Sequence, residues 1–136
     1  VELGTYGDMN GNNDTYIMYA FSNRQGYQKA GNYVGNGNAD GPFVYTGFAP
    51  AFVLIKNSSA SGTFWTIFDN KRGSGELYPN VSNSESYYPG NTTDPRVLLT
   101  SNGFKMNAAQ NTFNGSGNVM VFAAFSEHPF KTARAR

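Results

Sequence analysis

Nine acids and a single histidine are the groups this 136-residue chain offers for proton transfer near neutral pH. A hydrolytic triad needs a base that is oriented by a carboxylate and faces a nucleophile. His128 sits between Glu127 and Pro129 near the C-terminal end, with no glycine-flanked serine beside it. It reads as a surface or interface imidazole. Glycoside hydrolysis would need two carboxylates flanking one bond. The acids here fall mostly in turns, and Asp69, at the end of an aromatic run that holds Trp65, is the first to consider. The inventory points to a protein that binds rather than an enzyme.

Two loops carry oxygen ligands at alternate positions. In the first, Asp8, Asn10, Asn12 and Asp14 are spaced as a curved calcium loop requires. An EF-hand loop would also want glycine at its sixth position and an acid at its twelfth. Those positions hold Asn13 and Tyr19, so the competing reading is an Asx-rich turn ahead of a strand. Asn36-Gly37-Asn38-Ala39-Asp40-Gly41 carries the same two readings. Gly35-x-Gly37 is no nucleotide fingerprint, because no helix follows to receive a phosphate.

Aromatic rings can stack on the C–H faces of sugars, with Asn or Asp supplying hydrogen bonds. Trp65, Asp69, Tyr78, Tyr87 and Tyr88 are the candidates for such contact. The competing role for Trp65 is a core residue on a strand. Tyr87 and Tyr88 lie in a polar stretch, where exposed aromatics call for a partner.

The elements that must position these residues follow from composition. Glycine (16) and asparagine (17) make up about a quarter of the chain, against five Leu, five Lys and four Glu, which excludes a helical bundle. Aromatics at 15% argue against disorder. A formal charge of +1 leaves no electrostatic footprint for nucleic acid. No apolar run approaches the length of a membrane span, and the first residues lack a basic region and an apolar signal core. With no cysteine there is no disulfide framework and no thiolate metal site. What remains is an all-β domain of aromatic strands joined by Gly/Asn turns.

The clearest strands, apolar on both alternating faces, are Thr15–Ser22, Ala51–Lys56, Thr63–Asp69 and Asn118–Ser126. Such strands are covered on both sides, as at the centre of a sandwich or in a subunit interface. Weaker strands span Gln28–Val34, Pro42–Gly47, Arg96–Thr100 and Gly103–Asn107. Ser58–Gly62 reads as a hairpin connection, and Asn102-Gly103 as a type I′ turn. Lys71–Asp94, polar and turn-rich, is expected to be one long exposed loop, where binding usually sits. The sum is a compact antiparallel β-sandwich with short strands.

The chain also repeats itself. Asp14–Ser22 resembles Asn118–Ser126, both ending Ala-Phe-Ser and both followed by an aromatic-Lys element. This suggests that residues 1–26 are the terminal strand of a preceding repeat-like unit plus a linker, with the sandwich module at 27–136. The C-terminal Lys131, Arg134 and Arg136 read as a solvated basic end.

The block from Gly26 to Lys56, with Gly-Asn-Gly-Asn-Ala-Asp-Gly-Pro-Phe-Val-Tyr-Thr-Gly-Phe at 35–48, is similar to a domain of unknown function in tailed-bacteriophage virion proteins. Gly103-Phe104-Lys105 and the stretch from Ala123 to Arg136 carry the same resemblance, which covers about residues 15–136. Ala49 departs from it, standing where Arg is common, and the 71–94 loop has no counterpart. The resemblance implies a virion structural module, a tail-fibre component contributing to attachment to a host receptor or polysaccharide. A capsid-decorating head fibre, a glycan-degrading tail spike domain and a non-phage adhesion filament are the alternatives. It also implies other virion proteins as partners and a homo-oligomer, a trimer as in many fibres, and it implies no catalytic activity; the residues themselves call for no cofactor beyond the calcium reading above and for no membrane insertion.

Overall fold

The computed structural model describes residues 4–72, 75–85 and 95–128. Seven strands make two antiparallel sheets. The first sheet has four strands: β1 (Gln28–Val34), β3 (Pro50–Asn57), β4 (Trp65–Asp69) and β7 (Val119–Ser126), in the order β1-β7-β3-β4. The second has three: β2 (Phe43–Tyr45), β5 (Val97–Leu99) and β6 (Gly103–Met106), in the order β2-β6-β5. Two single-turn helices, α1 (Gly7–Asn10) and α2 (Asn111–Asn114), complete the described elements.

The sandwich forms because each sheet turns one apolar row inward. Val53 and Ile55 of β3, Phe68 of β4, and Met120, Phe122 and Ala124 of β7 are buried on the inner face of the four-stranded sheet. Val44, Val97, Phe104 and Met106 meet them from the three-stranded sheet, and Phe113 of α2 closes one end. The rings interlock edge to face: Phe104 on Phe122 at 5.2 Å, and Phe68 on Phe113 at 5.4 Å between centroids. Such pairs add to plain area burial. Tyr33 reaches into the same core from β1 and donates its hydroxyl to the Phe113 carbonyl at 2.5 Å. Burial pushes its phenol pKa up, so the hydroxyl stays protonated and donating.

The register of β7 between β1 and β3, with Ala124 facing Lys29 and Val53, makes β7 a central strand. Its alternate residues Val119, Val121, Ala123 and Phe125 face outward, beside Phe52 and Leu54 of β3 and Trp65 and Ile67 of β4. This outer face is apolar and only partly covered.

Seven of the expected strands form. Thr15–Ser22 does not: its residues pair with no strand among the described residues, and Ile17 and Tyr19 are 81% and 79% exposed. Apolar alternation supplies a strand-forming surface, but a strand also needs a paired neighbour; here the Asn23 side chain accepts the Ala30 amide and the Gln28 side chain donates to the Ser22 carbonyl, where a hairpin begun at Arg24 and Gln28 would continue. The turn between β5 and β6 also differs. Thr100 pairs with Gly103 through its backbone N–H, so the loop residues are Ser101 and Asn102. Neither they nor Gly103 has positive φ, so the turn is not type I′. Gly103 is required for another reason: a Cβ there would strike the Val44 carbonyl and, at 2.7 Å, the Phe43 ring. Residues 71–94 are not all exposed loop either. Leu77 exchanges backbone hydrogen bonds with Ile67, and Glu76 is buried.

Candidate functional site

Strand β4 positions the aromatic candidates by alternation. Trp65, Ile67 and Asp69 project from the outer face, while Thr66 and Phe68 point into the core. Trp65 lies opposite Lys56 in the register, and the Lys56 ammonium is tied to the Thr63 carbonyl and hydroxyl at 2.7 and 2.8 Å. Across β3 and β7 the same face continues through Leu54, Phe52, Val121 and Phe125. The Phe125 ring meets the edges of both Phe52 and Phe21. Trp65 is thus one end of a partly exposed apolar face and not a core residue.

Asp69 ends the strand and caps the next turn. Its Oδ1 accepts the Lys71 and Arg72 amides at 2.9 and 3.0 Å, and its Oδ2 accepts Arg72 Nε at 2.6 Å. Burial pushes this carboxyl up, but Arg72 and the two amides outweigh it and hold it below the ordinary carboxylate range. A glycosidase acid needs the opposite shift. The other acids among the described residues of the sandwich are also engaged. Asp40 pairs with Lys105, Glu76 with Arg96, Glu85 with Arg72, and Glu127 with Lys71.

Tyr78 belongs to a different set of contacts. Its ring stands against Phe64 at 5.6 Å, and its hydroxyl donates to Glu76 Oε2 at 2.7 Å. Glu76, 2% exposed, and Arg96 form a buried ion pair that Tyr78 completes. Trp65 and Asp69 therefore share a face, and Tyr78 belongs to a structural network beside it. Tyr87, Tyr88 and the basic residues Lys131, Arg134 and Arg136 lie outside the described residues.

The alternate-oxygen loops resolve differently. Asp8 and Asn10 fall in α1, a helical turn on which residues two apart do not face one another. The Asn10 amide donates to the Gly4 carbonyl, and Asp14 accepts from the Tyr16 hydroxyl. Asn12 adjoins Asn13, which takes positive φ in the turn. Among the described residues no three His, Asp or Glu side chains gather as metal ligands. The second loop, 36–41, is stapled from inside. Fully buried Asn114 donates to the Asn38 and Ala108 carbonyls at 2.8 and 2.9 Å and accepts the Asn36 amide at 2.9 Å. Asn36 and Asn38 side chains then accept the amides of Asn38 and Asp40 in turn. These asparagines build the loop.

A groove that sequence reasoning missed opens between β1 and β2, the neighbouring edges of the two sheets. Lys29, Gly31, Tyr33, Phe43, Tyr45 and Phe122 line it. Phe43 and Tyr45 are 48% and 59% exposed. Lys29 donates to the Tyr45 carbonyl at 2.8 Å and sits 5.5 Å above the Tyr45 ring. Gly31 lies close against Phe122 in its wall, since a Cβ there would stand 3.2 Å from the Phe122 ring. The available signal was the glycine inside a strand, which marks a close approach.

A family model described as a domain of unknown function (DUF7483) matches residues 1–129. No curated protein and no solved structure matches the chain.

Proposed function

We propose that this chain, which belongs to the DUF7483 family, is a structural module of a tailed-phage virion, a tail-fibre component that contributes to host-surface attachment. The virion context rests on the resemblance of the 26–56, 103–105 and 123–136 blocks. The observation that carries a binding role is the partly exposed outer face that runs from Trp65 through Leu54 and Phe52 to Phe125. An apolar, aromatic sheet face of this kind fits a contact surface. Trp65, whose backbone amide donates to the Asn80 side chain at 3.0 Å, is the residue we assign to receptor or polysaccharide contact. The engagement of Asp40, Asp69, Glu76, Glu85 and Glu127 in ion pairs favours binding over hydrolysis.

Labelled protein added to host cells tests this reading. The wild type should bind and be competed by polysaccharide extracted from the same cells, and the extract should keep its chain length. Trp65→Ala should weaken binding roughly tenfold or more, the usual effect of losing an aromatic anchor. Binding indifferent to Trp65→Ala would place the contact elsewhere, and shortening of the polysaccharide would favour a glycan-degrading tail spike.

A further inference from the structure

The apolar segment ahead of the sandwich and the open side of the sandwich are each incomplete. Tyr16, Ile17, Met18, Tyr19 and Phe21 are all exposed, although the segment has the composition of a central strand. It follows the pattern of β7 and is identical to it at Ala20-Phe21-Ser22: Tyr16, Met18 and Ala20 stand where β7 has the inward Met120, Phe122 and Ala124. The open side has the matching deficiency. β1 is an edge strand. The hydrogen bonds Ser126 N–H to Tyr27 and Gly35 N–H to Asn118 show that its odd-numbered residues bond to β7. The even-numbered ones therefore point away from the sheet. Gln28 spends its outward groups on Arg24, and the Ala30 amide goes to the Asn23 side chain. The outward backbone groups of Asn32 and Val34 have no strand beside them among the described residues. Next to that edge lies the groove with exposed Phe43 and Tyr45.

The segment is turned away from its own edge. Arg24 and Gln28 begin a hairpin, and continuing it would bring Ser22 opposite Ala30 and Ala20 opposite Asn32. Instead Asn23 Oδ1 takes the Ala30 amide at 2.7 Å, and the Gln28 side chain takes the Ser22 carbonyl. These two side chains use the groups the next hairpin rung would need. Phe21 then leaves over the outer face onto Phe125. A β7-like strand fits a surface that this module itself supplies, so the fitting occupant of the edge is the same segment from another molecule.

We propose that Asp14–Ser22 is a donor strand for a second copy of this chain. It adds to the free edge of β1 at Asn32 and Val34 and turns Tyr16 and Met18 into the groove beside Phe43 and Tyr45. This is strand addition, in which main-chain bonds give affinity and alternate side chains give specificity. It also protects an edge that would otherwise pair without control.

Sedimentation of the whole chain across micromolar concentrations tests the proposal. The wild type should form a dimer or larger assembly. The double variant Ile17→Asp/Met18→Asp, altered in exposed residues, should be a folded monomer. Asn32→Pro removes one outward amide from the edge and should also be monomeric. Val34→Lys, which leaves the backbone intact, should repeat that result if the proline variant fails to fold. The donor-defective and edge-defective chains, each monomeric alone, should form a one-to-one complex when mixed, because each supplies what the other lacks. A monomeric wild type, assembly by folded Val34→Lys or Asn32→Pro at wild-type strength, or the absence of any mixed complex would overturn the proposal. The outcome is independent of Trp65 and of host binding.

Discussion

At the residue scale, a few buried polar groups hold the fold in one arrangement. Asn114 is fully buried and bridges the 36–41 loop to the Ala108 carbonyl. Replacing it with Ala leaves several backbone groups without partners, and Asn114→Ala should lower unfolding free energy by about 2–3 kcal/mol in denaturant titration. Arg96→Ala strips the buried Glu76 of its countercharge and should cost roughly 3–5 kcal/mol in the same measurement. Thr66 runs the other way. Its hydroxyl is buried and has no hydrogen-bond partner among the described residues, so Thr66→Val should be neutral or stabilising by about 1 kcal/mol. Asp69 sets part of the acid response. Its folded-state pKa is below the unfolded one, so its contribution is complete above the ordinary carboxylate range and fades as pH falls through the folded value. The exposed Asp40 and Glu127 shift in the same direction, through Lys105 and through Lys71 and Asn70. Melting temperature should therefore decline below about pH 4, and the decline should be shallower in Asp69→Asn than in the wild type.

At the element scale, close approach of backbones decides where glycine is obligatory. Gly35 leaves β1 against the Gly115 carbonyl that follows α2, and a Cβ there would collide with that backbone. Gly35→Ala should force β1 and α2 apart and melt well below the wild type, whereas Gly62, with open space around its Cβ position, should lose only the φ-dependent share. The strands were largely legible in the sequence because one face of each is buried. The alternation of Thr66 and Phe68 with Trp65 and Ile67 fixes which side of β4 meets the core. Two things were not legible. Asn114 works through contacts to residues nearly eighty positions away, and no local pattern encodes that. Thr15–Ser22 has the alternation of β7, yet local pattern does not say whether an edge is free to receive it. The sequence names residues of the candidate surface but not how they group. Trp65 and Asp69 do share a face, but Tyr78 serves the Glu76–Arg96 pair, and the groove at Phe43 and Tyr45 arises only when two sheet edges meet.

At the scale of the whole molecule, we assign the two edges of the larger sheet to two tasks. The β4 edge carries Trp65 and adjoins Leu77 and Asn80, and we assign host contact there. The β1 edge, with its groove, faces the donor strand of another copy. A module organised this way can be repeated along a fibre while its contact surface stays free, and repetition multiplies a weak individual contact into firm attachment. The glycine and asparagine excess fits the same picture, since the 36–41 loop shows these residues building fixed turns and not slack chain. The central claim is that this chain is a virion component at the tail. Immunogold labelling of tailed particles purified from a culture that produces this chain, viewed by electron microscopy, tests that claim most directly. The account predicts gold along the tail fibres; gold confined to the head, or particles that carry none of the protein, would contradict it.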